Sequence, residues 1–226
     1  MSLKRGALIV LEGVDRSGKS TQCRKLVESL KRKNQSAELF VYPDRSTLTG
    51  QLISKYLSDK DCKLHDKAIH LLFSANRWEN ADKMTKMLHD GVTLIVDRYS
   101  YSGIAYSSIK PGMDLEWCKT QEIGLPKPDA VFLLTLNEVE MNNRPGFGDE
   151  RYEKESIQKQ VLDVFHQLLD ASWETVDASG SIDDVHDKLM RRILNVIDKV
   201  GSKKLQTLKF KEQNIENSPI IANGTH

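Results

Sequence analysis

Short apolar runs alternate with amphipathic stretches through most of this chain. Ala7-Leu8-Ile9-Val10-Leu11 is unbroken by polar residues, the pattern of a parallel strand covered on both faces. Beyond it, Cys23, Leu26, Val27 and Leu30 recur at helical spacing. Leu39-Phe40-Val41-Tyr42 reads as a second strand ended by Pro43. The turn Asp44-Arg45-Ser46-Thr47 then leads into a helix carrying Leu52, Ile53, Tyr56 and Leu57. A long helical pattern follows over about 65–88, through Ile69, Leu72, Phe73, Trp78 and Met84, and Gly91 stops it. Val92-Thr93-Leu94-Ile95-Val96 is a third strand. Pro126-Lys127-Pro128-Asp129 introduces a fourth, Ala130-Val131-Phe132-Leu133-Leu134, and Thr175-Val176 is a weaker fifth. Further helices are predicted over 154–169 and 182–200. This alternation predicts an α/β chain, a doubly wound sheet of about five parallel strands surrounded by helices. The rhythm ends near Gly201, so 1–200 is expected to form one domain and 201–226 a disordered tail.

The loop between the first strand and the first helix carries the strongest chemical signal. Gly13-Val14-Asp15-Arg16-Ser17-Gly18-Lys19-Ser20 fits G-x-x-x-x-G-K-[ST], the P-loop, which makes the expected fold P-loop NTPase-like. Glycines let backbone N–H groups curl around phosphate oxygens, and the following helix aims its positive end at the anion. Lys19 reaches the outer phosphates of a nucleotide and the Ser20 hydroxyl ligates Mg²⁺. The nucleotide contacts assigned to this stretch are Gly13, Ser17, Gly18, Lys19, Ser20 and Thr21. A plain glycine turn capping a helix would not need the strand before it and the Lys-Ser pair after it.

Composition narrows the partners. The 226 residues hold 33 Lys and Arg against 32 Asp and Glu, a net charge of +1 that implies neither a nucleic-acid groove nor a membrane-surface patch. Cys23, Cys62 and Cys118 form no C-x-x-C pair, which favours a reducing cytosolic or nuclear compartment. Lys4-Arg5 leads straight into strand and P-loop, so no secretory leader is expected, and no apolar run approaches the ~20 residues of a membrane helix.

Ligands of an open α/β sheet collect beyond the carboxyl ends of its strands. Asp97-Arg98-Tyr99 follows the third strand. There a carboxylate suits the second Mg²⁺ position, usually through water, and an arginine offers a planar fork for phosphate. A solvated turn is the plainer alternative, and the nearby P-loop weighs against it. Arg45 follows the second strand and Arg16 lies within the P-loop. Arg144 and Arg151 bracket Pro145-Gly146-Phe147-Gly148, a loop suited to fold over phosphates as a lid. Several arginines on separate loops point to a second phosphorylated substrate, since repulsion between two anions must be offset.

These stretches together resemble one family. Gly-Ala-Leu-Ile-Val-Leu-Glu-Gly-Val-Asp-Arg-Ser-Gly-Lys-Ser-Thr-Gln, His-Leu-Leu-Phe-Ser-Ala-Asn-Arg-Trp-Glu, Thr-Leu-Ile-Val-Asp-Arg-Tyr, Gly-Leu-Pro-Lys-Pro-Asp and Val-Asp-Ala-Ser are similar, in the same order, to motifs of eukaryotic-type thymidylate kinases. The resemblance covers about 6–200. It implies ATP and dTMP as substrates, ADP and dTDP as products, Mg²⁺ dependence and a homodimer. It implies that Phe73 stacks on thymine and that Arg77, one turn on, donates to a thymine carbonyl. Asp15 would lie near the deoxyribose 3′-hydroxyl, with Arg45 and Arg98 on the monophosphate. Tyr106 would leave no room for a 2′-hydroxyl, and Gly103 and Tyr152 would join the same substrate site. Arg16, Lys19, Asp97 and Arg98 would be the catalytic set, with Ser20 and Asp97 toward the metal. The stretch from Arg144 to Tyr152 would be the lid, with Arg144, Asp177 and Ala178 on the ATP side.

Three other classes compete. A deoxynucleoside kinase needs a carboxylate after the first strand to activate a hydroxyl, not several arginines for a monophosphate. A GTPase usually carries N-K-x-D, absent here, and the D-x-x-G at Asp177-Ala178-Ser179-Gly180 comes too late to be a switch. A catalytically dead relative is opposed by intact Lys19, Ser20, Asp97 and Arg98.

Overall fold

A computed structural model of the chain describes residues 4–136 and 151–210. Its centre is a five-stranded parallel sheet of order β2-β3-β1-β4-β5. The strands are β1 (Leu8–Glu12), β2 (Ala37–Val41), β3 (Thr93–Asp97), β4 (Ala130–Thr135) and β5 (Trp173–Asp177). Leu8 pairs with Leu94 in β3, and Ile9 pairs with Ala130 in β4. The three inner strands are buried almost throughout, which is why they read as unbroken apolar runs. At the edges, β2 and β5 alternate with exposed positions, and β5 is correspondingly faint in sequence.

Because side chains alternate across a strand, β1 feeds two cores. Leu8 and Val10 enter one with Leu94, Val131 and Phe165. Ala7, Ile9 and Leu11 enter the other with Leu26, Leu30, Leu189 and Ile193. The second face is covered by α1 (Lys19–Arg32) and α8 (Ile182–Val200), the last helix among the described residues. The first is covered by α4 (Ala81–His89), α5 (Ser100–Ser108) and α7 (Glu155–Leu168). A smaller cluster joins α2 (Leu48–Ser58) to α3 (Asp66–Trp78), and the short α6 (Leu115–Thr120) follows α5.

The helical pattern over 65–88 is two helices. It breaks at Glu79 and Asn80, where Asn80 donates to the Asp44 carboxylate at 3.3 Å. One turn earlier the Asn76 amide grips the same loop, accepting from the Asp44 N–H at 2.7 Å and donating to Thr47 Oγ1 at 2.9 Å. A tertiary clasp thus ends α3 and fixes the loop that carries Arg45.

The expectation for the C-terminal segment is corrected over 201–210. Leu208 is only 2% exposed, and its backbone N–H donates to Leu125 O at 2.7 Å while its carbonyl accepts from Gly124 at 3.1 Å. Lys127 donates to Gln206 O, and the Phe210 ring meets Tyr101 edge-on. One buried leucine and an antiparallel bridge hold down a stretch whose polar composition reads as tail. Residues 211–226, also assigned to that tail, lie outside the described residues. Leu208→Ala is expected to lower unfolding free energy by about 2 kcal/mol or more, the usual cost of truncating a buried leucine. Urea titration checks this, and unchanged stability would mean that the segment adds nothing to the fold.

Candidate active site

The carboxyl ends of β1, β3 and β4 meet beneath the P-loop. Gly13 has φ 144°, and a Cβ there would come within 2.4 Å of the Leu134 carbonyl, so only glycine lets the loop lie against the end of β4. Gly18, at φ 91°, precedes the first turn of α1, which carries no acidic residue to compete for an anion. Lys19 is buried and folds back, donating to Val14 O at 2.6 Å and Ser17 Oγ at 3.1 Å. Burial pushes its ammonium down to about 8, with neighbouring Arg98 adding to the fall. A phosphate arriving over the loop would offset both effects.

Two of the arginines singled out from sequence sit in the left-handed region, Arg16 at φ 65° and Arg98 at φ 64°. That conformation costs about 1–2 kcal/mol for a residue with a Cβ, so it persists only where the surroundings enforce it. At Arg98 the enforcement is visible. Its N–H donates to Leu11 O at 3.0 Å and its guanidinium to Gly13 O at 3.1 Å and Ser102 Oγ at 3.2 Å. It also forms an ion pair with Asp15 and lies 5.4 Å over the Tyr106 ring. Burial alone would raise the Asp15 carboxyl, but Arg98, then Lys19, hold it below the usual carboxylate range. Tyr106 and Gln158 complete Asp15, donating at 3.1 and 2.7 Å.

Ser20 donates its hydroxyl to Asp97 at the end of β3. Both are hard oxygen donors, and among the described residues no group of three or more His, Cys, Asp or Glu gathers to hold a metal. That sparse set suits Mg²⁺, which keeps water and phosphate oxygens as most of its ligands.

A cavity of about 540 Å³ opens here. Its lining includes Asp15, Arg16, Gly18, Lys19, Ser20, Thr21, Arg45, Phe73, Arg77, Asp97, Arg98, Gly103, Tyr106 and Tyr152. Gly13 and Ser17 lie in the loop beneath it. Asp177 and Ala178 stand apart, at the carboxyl end of β5, where Ala178 donates to Thr135 O at 2.8 Å. Gln22 of α1 reaches toward them, donating to Ile182 O at 2.9 Å. Arg144 and Gly146 to Gly148 lie outside the described residues. Arg151, read as a flank of the lid, caps the end of α2. It donates to Tyr56 O, Asp59 O and Cys62 O at 2.7–3.0 Å, as a cation does at a helix C-terminus.

Sequence reasoning missed three groups. Glu12, fully buried, accepts from the Tyr99 and Ser102 N–H groups and from Ser102 Oγ at 2.5–3.1 Å, and so holds the start of α5. Burial raises its pKa, although the Ser102 and Arg98 contacts oppose the rise. The sole signal was its place directly before Gly13. Gln158 sits in an ordinary amphipathic helix, with no local mark of its contact to Asp15. Glu122, between α6 and β4, pairs with Arg77 across 45 residues.

Comparison with known proteins agrees with this geometry. A family model described as thymidylate kinase matches residues 11–189. The chain is 52% identical to thymidylate kinase of Arabidopsis thaliana over 85% of its own length and 73% of that protein's. It is 50% identical to thymidylate kinase of Homo sapiens, over 84% and 90%. The solved structure of thymidylate kinase from Candida albicans superposes with a TM-score of 0.82 at 39% identity, covering 91% of this chain and 99% of that one. A P-loop, a cavity with arginines at its strand ends and this degree of likeness along both chains lead to one assignment: the chain belongs to the thymidylate kinase family.

Proposed function

We infer that the chain transfers the γ-phosphate of ATP to dTMP, giving ADP and dTDP, a step toward dTTP. One observation carries the reading: phosphate-holding groups (Lys19, Arg45, Arg98) and a base-sized pair (Phe73, Arg77) line a single cavity. A hydrolase needs the first set alone; transfer to a nucleotide needs both.

On this reading the P-loop and Lys19 hold the ATP phosphates, and Arg45 and Arg98 hold the acceptor monophosphate. Phe73 stacks on thymine. Arg77, a donor only, suits its carbonyl and clashes with the amino group of cytosine. The Arg98–Asp15 pair joins the group that grips the phosphate to the carboxylate near the 3′-hydroxyl. Tyr106, anchored to Asp15, closes the sugar site against a 2′-hydroxyl; Gly103 and Tyr152 shape the same pocket. Arg144, Asp177 and Ala178 are assigned to the adenine side. Ser20 and Asp97 would hold Mg²⁺, which when bound neutralises charge on the donor phosphates. Arg16 stabilises the phosphoryl group in flight.

The homodimer has a candidate face. Leu48 and Leu52 of α2, Leu71 and Trp78 of α3, and nearby Ile123 are large, apolar and exposed. Large exposed apolar side chains on two helices that pack together suit an association site. The free Cys23, Cys62 and Cys118 support a reducing cytosolic or nuclear compartment. Among the described residues no helix is long and apolar enough to cross a membrane.

A coupled ADP-release assay across dTMP, dUMP, thymidine and dCMP tests the activity. Turnover on thymidine but not dTMP would overturn it. Lys19→Ala should lose roughly a thousandfold in kcat, the scale of a main electrostatic contact to the transferring phosphoryl; near-normal turnover would remove the P-loop from the chemistry. Arg16→Ala should also fall about 10³-fold in kcat with dTMP binding little changed, because the contact strengthens in the transition state. Arg144→Ala should be milder, and the reverse order at saturating ATP and dTMP would assign the transition-state arginine to the lid. Leu52→Glu with Leu71→Glu should shift the chain from dimer to monomer in sedimentation equilibrium; a dimer that survives both charges would place the interface elsewhere.

A further inference from the structure

We propose that Glu122 is the positioning residue for base selection, orienting the Arg77 guanidinium without itself touching substrate. The inference rests on the reading above, that Arg77 contacts the base. Glu122 has no solvent exposure and does not line the cavity, whereas Arg77 does. The two carboxylate oxygens take Arg77 Nε at 2.8 Å and Nη2 at 2.5 Å. That lateral, two-point grip engages one edge of the fork and leaves the remaining N–H groups, at the other edge, as the ones still to be satisfied. An arginine held at one point can swing; held at two it presents a fixed edge.

A second contact defines the plane. Gly103 of α5 lies against the guanidinium, and a Cβ added there would come within 2.4 Å of Nη2 and 2.9 Å of Cζ. The α5 backbone is therefore a floor for Arg77, and Glu122 is the wall beside it. Glu122 is itself braced. Its N–H donates to Lys119 O, its carbonyl accepts from Leu125, and Gly124 and Leu125 are paired with Leu208. The pair is also a buried charge pair, so a fork displaced from Glu122 would carry an unmatched cation into the cavity. Acceptance of a carbonyl-bearing base and rejection of an amino-bearing one then depend on a carboxylate behind the site.

Steady-state kinetics with dTMP and dCMP, alongside thermal melting, test this on five chains: the native protein, Arg77→Ala, Glu122→Gln, Glu122→Asp, and Arg77→Ala with Glu122→Gln. Glu122→Gln should raise KM for dTMP roughly tenfold or more, the factor associated with a misplaced buried hydrogen bond. Its kcat at saturating dTMP should stay within about threefold, and its preference for dTMP over dCMP should fall with the KM change. On the Arg77→Ala background the Glu122 change should add nothing further. Glu122→Asp keeps the charge but draws the two oxygens back by one methylene, so KM and preference should move in the same direction as in Glu122→Gln and by less. A folded Glu122→Gln chain with native KM and native preference, or an effect that simply adds to that of Arg77→Ala, would make the pair structural only. If Glu122→Gln fails to fold, Glu122→Asp decides, and a native KM with native preference there overturns the proposal. Native KM and preference in Arg77→Ala would instead sink the base-contact reading itself.

Discussion

A guanidinium partly withdrawn from water needs acceptors on several sides, and Arg98 is met by groups from separate parts of the chain. Gly13 O and the Asp15 carboxylate come from the P-loop, and Ser102 Oγ comes from α5. Through these contacts one side chain ties the phosphate-binding loop, the end of β3 and the next helix into a unit. Glu12 lies behind it, fully buried, and fixes the first turn of α5. Removing Asp15 would leave the part-buried Arg98 charge without its ion-pair partner, a costly change in a site of this kind. The left-handed backbone at Arg98 persists because this network over-determines it.

The same arrangement sets how the site meets its ligands. Arg98 lies close enough to Lys19 to disfavour its charge, and Lys19 meanwhile occupies Val14 O and Ser17 Oγ. Phosphate oxygens are the natural replacement for those stand-in acceptors. On the proposed reading, binding relieves a cationic repulsion that the fold has built in, so part of the affinity for anions is stored as electrostatic preorganisation. The base end follows the same logic with one charge instead of two: Arg77 is matched by Glu122 and given room by Gly103.

How much of this was legible in the sequence depended on the kind of force involved. Inner strands declare themselves because both faces are covered and every position must be apolar; β5, half exposed at the edge, showed only Thr175 and Val176. The P-loop was readable because its demands are local, a glycine where a Cβ would strike the Leu134 carbonyl and a lysine one step inside a helix. The break between α3 and α4 was not readable, since side chains reaching a loop more than thirty positions earlier produce it. Residues 201–210 were misread for a related reason. Their composition is polar, and one leucine finding a groove beside Leu125 outweighs it.

The sequence by itself therefore determined the alternation of elements, the parallel sheet, the phosphate loop and the identities of the cationic and aromatic side chains near it. Those features arise from periodicity and from backbone sterics, which act between neighbours. Only the tertiary structure decided which partners the arginines meet: Arg98 meets Asp15, Arg77 meets Glu122, and Arg151 caps α2. Charges act through space and are paired by packing. Which carboxylate or carbonyl a given arginine meets is settled by the fold that brings distant segments together.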